Sequence, residues 1–250
     1  MSEHIVVEDA GRIRVVRMKR PDKKNALTSS MYATMAAALV SAGGDDNARC
    51  LVIAGVPGAF SAGNDLAEFA EMAKSGEGLA LPVIDFLHAL ARCKLPLVAA
   101  VQGLAVGVGT TMLMHCDHVV AGNDARFSTP FVNLGLVPEA ASSLLAPRLM
   151  GQRRAFDLLV MGRPLDAAAA QACGLVNAVV APGDVEAEAI KAARHIANLP
   201  AEAVAASRRL MRGSPDEIVA RIDEEARVFK ERLQSAEART AFDAFFNRKR

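Results

Sequence analysis

Two runs of the chain, Cys50–Gly55 (CLVIAG) and Pro96–Val101 (PLVAAV), contain no charged or amide side chain, and they constrain the fold more than any other feature. A strand with one wet face alternates apolar and polar residues. An unbroken apolar run of this length needs cover on both faces, as in parallel sheets flanked by helices. Each run ends at a break, Pro57-Gly58 or the glycine-punctuated Gly103–Gly109, and a helical stretch follows. Val119-Val120-Ala121 reads as a third short strand, and Phe127 lies in a fourth. Strand, loop and helix recurring in this way predict an α/β fold.

The flanking segments complete the outline. His4–Glu8 and Ile13–Met18 alternate around Gly11 and read as a hairpin, with the polar loop Arg20–Asn25 after it. Thr28 starts a helix carrying Met31, Met35 and Leu39 that stops near Gly43-Gly44, and another helix runs roughly from Leu79 to Ala91. After Pro138 the chain reads as almost wholly helical, cut by Gly151, Gly162, Gly174, Pro182, Pro200 and Pro215. The expected organisation is an α/β core over residues 1–195 and a helical C-terminal region over 196–250.

Composition narrows the function. Apolar residues form 52% of the chain and aromatics only 4%, so a large core is built from Ala, Val, Leu and Met. Lysine and arginine total 29 against 28 acidic residues, a balance that argues against nucleic acid as a partner. Cys50, Cys93, Cys116 and Cys173 are widely spaced in apolar runs, which reads as buried free thiols in a reducing compartment. The N-terminal MSEHIVVEDAG has no signal-peptide pattern and no run suits a bilayer span, so a cytoplasmic protein without a membrane partner is expected.

Two segments place a glycine turn between a strand and a helix, the geometry that presents free backbone N–H groups: Ala62-Gly63-Asn64-Asp65 and Gly103–Gly109. Tight packing alone would also explain these glycines. Gly107-Val108-Gly109 lacks the dinucleotide spacing, and no acidic ribose partner follows it. His115-Cys116-Asp117-His118 has metal-ligating residue types, but its flanks are apolar and no metal is expected there. Ser142 and Ser143 lack a recognisable activating histidine, and Asp65 and Asp117 read as caps or loop braces.

Phe60-Ser61-Ala62-Gly63-Asn64-Asp65-Leu66 and the segment from Pro96 to Gly107 resemble the two hallmark segments of the crotonase (enoyl-CoA hydratase/isomerase) superfamily. Cys116-Asp117 and Phe127-Ser128-Thr129-Pro130 continue the resemblance, which runs from about residue 5 to the C-terminus. It implies a spiral of ββα turns with a helical trimerisation region, assembling as a homotrimer or dimer of trimers. It implies an acyl-CoA thioester substrate, with coenzyme A arriving as part of that substrate and no separate cofactor. The backbone N–H groups of Asn64 and Val108 would form the oxyanion hole. Lys24 and Ala26 would lie along the nucleotide end, with Lys23 and Asn25 beside them. Ala62, Gly63, Asp65, Leu66, Gly107 and Phe131 would complete the substrate site, and Phe245 and Arg248 fall where relatives close over coenzyme A.

The sequence departs from the hydratase pattern at the two positions that carry its glutamates. These are Thr111 and Phe131 here, and neither is a base at neutral pH. The segment Leu134–Ser143, with Pro138-Glu139, instead resembles the Δ3,Δ2-enoyl-CoA isomerases, closest to the peroxisomal-type members. There the matching glutamate is the single acid/base. Glu139 is therefore the expected base, in an apolar pocket that raises its proton affinity. By position alone the better reading is a charge in the first turn of a helix after Pro138, and the resemblance reverses that preference. The resemblance implies isomerisation of a 3-enoyl-CoA to the trans-2 form in fatty-acid or related metabolism. The alternatives are an enoyl-CoA hydratase or other crotonase reaction, or a non-catalytic acyl-CoA binder.

Overall fold

A computed structural model describes residues 2–65, 67–69, 71 and 78–247, with side chains placed as far as residue 244. The N-terminal hairpin forms as the alternation requires: β1 (Ile5–Ala10) pairs antiparallel with β2 (Ile13–Met18). Then β3 (Cys50–Ala54), β5 (Leu97–Val101), β7 (His118–Gly122) and β10 (Ala178–Val180) extend this sheet in parallel, in the order β1-β2-β3-β5-β7-β10.

The unbroken apolar runs are explained by cover on both sides. Cys50, Val52 and Ala54 with Val98 and Ala100 face α7 (Val185–Ala197), whose Ala189, Ala193 and Ala197 let it lie close to the sheet. Leu51, Ile53, Leu97, Ala99 and Val101 face the main core, shared with α1 (Ser29–Ala42) and α2 (Leu81–Arg92). Thr28 caps α1, its hydroxyl accepting from Met31 N at 3.3 Å.

A second sheet has the order β4-β6-β8-β9, built from β4 (Ala59–Ser61), β6 (Leu104–Val106), β8 (Arg126–Ser128) and β9 (Leu165–Asp166). The pairs β3/β4, β5/β6 and β7/β8 each give one strand to each sheet, so successive turns stack as a spiral. β9 and β10 correct the expectation of an almost wholly helical second half. Two or three residues are too few to show a period, and these strands exist only because β8 and β7 offer them an edge.

The C-terminal helices follow as α8 (Ala201–Arg212), α9 (Pro215–Leu233) and α10 (Ala236–Asn247). The boundary placed at residue 195 falls inside α7. Ile218, Ile222, Phe229 and Leu233 of α9 and Phe242 of α10 enter the main core, so α9 and α10 seal the first region rather than forming a separate core. Among the described residues no helix is long and apolar enough to cross a membrane.

Candidate active site

A cleft of about 1140 Å³ opens between the second sheet and the C-terminal helices. Its wall includes Lys24, Ala26, Ala62, Gly63, Asn64, Asp65, Gly107, Val108 and Phe131, which are nine of the ten substrate-contact positions expected from sequence. Leu66 and Arg248 lie outside the described residues, and the Phe245 side chain is not among those placed. Phe69, Leu134, Leu136 and Phe229 supply apolar surface to the same cleft.

The loop after β2 is fixed to strand β4 by a buried asparagine. Asn25 accepts from Arg20 N at 2.7 Å and donates to the carbonyls of Ala59 and Phe60 at 2.9 and 3.1 Å. Its own carbonyl takes the Ser61 hydroxyl at 2.9 Å. Lys24 and Asn25 adopt left-handed φ angles of 49° and 54°, and the exposed Lys24 is thereby carried to the cleft mouth. Arg20 pairs with Asp65 at 2.7 Å, and although burial opposes it, this ion pair helps hold the Asp65 carboxyl below its usual range. Asp65 is thus a loop brace and a poor base.

Asn64 and Val108 both line this cleft, and their backbone N–H groups are left without a protein partner for separate reasons. Leu27 forms a parallel bridge by donating to Gly63 O and accepting from Asp65 N, each at 2.8 Å. The peptide N–H between those two bonds, that of Asn64, points the other way. Val108 opens the short helix α3 (Val108–Thr111), and the first amides of a helix have no partner within it. Neither N–H donates to another protein group among the described residues. The two loops touch closely: a Cβ at Gly63 would lie 2.9 Å from Val106 O, and one at Gly109 would lie 2.9 Å from Ser61 O. Thr110 fixes α3 by donating to Ala105 O at 2.6 Å and accepting from Ser128 N at 3.2 Å.

Glu139 approaches from the opposite end of α3. It is 3% exposed, and its Oε1 accepts the Thr111 hydroxyl at 2.5 Å. Thr111 is one helical turn beyond Val108, so Glu139 sits a turn deeper than the N–H pair, below the Val108 end of the cleft. Burial pushes its carboxyl up to about 8, the Thr111 hydrogen bond pulls it down, and Glu225 adds a further upward push. Glu139 does not occupy a first helical turn. The helix α4 (Ser142–Met150) begins three residues later, after Ala140 and Ala141 at φ 62° and 55°. Left-handed alanine costs about 1–2 kcal/mol per residue, so the surrounding contacts impose this turn.

Several contributors were not legible in the sequence. Tyr32, the single tyrosine, donates to Asn64 Oδ1 at 2.5 Å and is buried; a buried hydroxyl needs such a partner, but nothing in the sequence names it. His115 Nε2 bonds Ala140 O at 2.7 Å, and burial drives its pKa down to about 4, so the ring is neutral. Asp117, by contrast, is the brace expected from sequence: it is held by Leu97 N and Arg208, each at 2.8 Å, and ties β5 to α8. Thr111→Val, a near-isosteric change, should raise the Glu139 pKa by about one unit and lower turnover roughly tenfold. A pH–rate profile of the variant checks this; an unmoved midpoint would show that the hydroxyl does not act on the carboxyl.

The family described as Enoyl-CoA hydratase/isomerase matches residues 8–250 of this chain. Rat enoyl-CoA delta isomerase 2 is 35% identical over 253 residues, covering 99% of this chain, and this chain spans 64% of that protein. An enoyl-CoA hydratase/isomerase structure from Pseudoalteromonas atlantica superposes with a TM-score of 0.92 at 40% identity, covering 98% of both chains. A structure titled enoyl-CoA hydratase, from Mycobacterium avium subsp. paratuberculosis, gives 0.87 at 29% identity, covering 98% of this chain and 96% of that one. The shared spiral and the match over nearly its whole length make this chain a member of the enoyl-CoA hydratase/isomerase family.

Proposed function

We propose that this protein isomerises a 3-enoyl-CoA to the trans-2-enoyl-CoA, with Glu139 as the single acid/base. One observation carries the reading: the position of the hydratases' first glutamate is Thr111, and the Thr111 hydroxyl is hydrogen-bonded to the buried Glu139. With Phe131 at the second hydratase position, no pair of carboxylates flanks a water there.

The chemistry follows from one carboxylate and two amides. Asn64 N–H and Val108 N–H receive the thioester oxygen. Glu139 removes a proton from C2, and the C–H electron pair delocalises as a dienolate whose negative charge rests on that oxygen. The same carboxyl group then delivers the proton to C4 as the C2–C3 double bond forms. Nothing is oxidised and no water is consumed. A base placed one turn below the oxyanion donors suits carbons beyond the carbonyl, and the apolar surroundings raise its proton affinity and so strengthen it as a base.

The test is incubation with trans-3-enoyl-CoA, following formation of the conjugated 2-enoyl thioester. Because the base must be ionised, kcat/KM should rise with pH and level off above about 8. Rapid formation of 3-hydroxyacyl-CoA from a 2-enoyl substrate, with no isomerisation, would transfer the assignment to hydration. Binding of acyl-CoA without turnover of either substrate would leave a binding protein.

A further inference from the structure

We propose that Glu225, on α9, is a positioning residue for this reaction: its carboxylate grips the Ala141 and Ser143 amides and so holds the left-handed turn that presents Glu139 to Thr111. The inference rests on Glu139 being the base. Glu225 lies more than eighty residues away in sequence, yet it accepts from Ala141 N at 2.6 Å and from Ser143 N at 2.9 Å. Both amides belong to the start of α4, where helix N–H groups otherwise lack partners.

The turn needs such a grip. Ala140 and Ala141 are both fully buried at positive φ, a conformation alanine does not hold unaided. The other ties are Ser142 N to Glu139 O at 3.1 Å and His115 Nε2 to Ala140 O at 2.7 Å. If the turn relaxes to ordinary φ values, Glu139 swings away from Thr111. Glu225 also puts a second buried negative charge near the base, which favours the protonated form of Glu139.

The charged and titratable groups around the pair come from several elements. Tyr32 on α1 is kept neutral by burial and by the Glu139 charge. His115 is neutral, with Arg212 behind it at its carbonyl. Burial pushes the Glu225 pKa up to about 7, against the hydrogen bonds from Ser143 and the Ala141 amide and the charge of Arg221, one turn back on α9, which donates to Ser143 Oγ at 3.2 Å.

Glu225→Gln is the test, because a Gln NH2 cannot accept from an amide and one of the two grips is lost while size is kept. Isomerisation kcat should fall on the order of 10²-fold, with KM within about threefold, since the base is misplaced but the cleft is not. The midpoint of the kcat/KM profile should rise, because the Thr111 hydrogen bond that Glu139 loses weighs more on its pKa than the Glu225 charge that disappears. Adding Ala141→Gly, which eases the left-handed turn, should recover roughly tenfold of the lost kcat. Infrared titration of the protonated-carboxyl band that disappears in Glu139→Gln gives the same midpoint without turnover. A protein inactive on 3-enoyl-CoA therefore still tests the grip separately from the reaction.

An unchanged kcat and midpoint in Glu225→Gln would overturn the proposal. So would a lower melting temperature with an unmoved midpoint, which would make Glu225 a stability element only. If Glu225→Gln does not fold, the double variant is read instead, and failure of both to fold likewise assigns a purely structural role.

Discussion

Glu139→Gln should lower isomerisation turnover on the order of 10²–10⁴-fold, the range for losing a general acid/base. The change is nearly isosteric. A Gln Oε1 still accepts the Thr111 hydroxyl, so the turn and the cleft keep their shape. Only the ability to take and return a proton is removed. The same variant should gain stability at alkaline pH. In the folded chain the carboxyl titrates near 8, whereas an unfolded glutamate titrates near its ordinary value of about 4.5. Between those values the folded state binds more protons, so wild-type stability falls as pH rises and levels off above about 8. Glutamine carries no such penalty and should be roughly 1–3 kcal/mol more stable than wild type at pH 9. Steady-state turnover with urea unfolding at pH 6 and pH 9 reads both effects. Undiminished turnover would remove Glu139 from the mechanism.

Gly103→Ala should have the largest effect on stability, about 4 kcal/mol or more. Gly103 joins β5 to β6 and has φ +60°, and a Cβ there would lie 2.0 Å from Gly58 O and 2.3 Å from Gly58 C. Those are backbone atoms of the preceding spiral turn, held by Leu104 N donating to Gly58 O at 3.3 Å. Neither turn can retreat without opening the β4–β6 edge that carries the cleft. Gly11→Ala is the control, since it has a similar φ of +66° but nothing within 4 Å of the added atom. It should cost only the backbone preference, about 1 kcal/mol. Urea unfolding of both variants separates the two contributions; equal losses would show that the stacking contact at Gly103 is unimportant.

The sequence alone determined the class of the fold and the residue types of the site. Unbroken apolar runs at Cys50–Gly55 and Pro96–Val101 can only be strands covered on both faces or buried helix segments, and their length and glycine boundaries favour strands. Cys50, Val52 and Ala54 against α7, with Leu51 and Ile53 against the main core, are that pattern realised. The absence of carboxylates at Thr111 and Phe131, and the presence of Glu139 in its Pro-Glu segment, are likewise statements about sequence.

Tertiary structure decided what depends on partners distant along the chain. β9 and β10 are strands only because an edge is offered to them, and two or three residues carry no periodicity to betray this. By position alone Glu139 belongs in a first helical turn, because local sequence favours helix after Pro138. The observed left-handed Ala140-Ala141 turn is imposed by contacts from Glu225 and His115. Its raised proton affinity comes from burial, which no linear spacing encodes. Which amides are left without a protein partner follows from the Leu27 bridge and from the first turn of α3. Chemistry-bearing residues can be recognised one at a time along the chain. Their protonation and aim are properties of the packed whole.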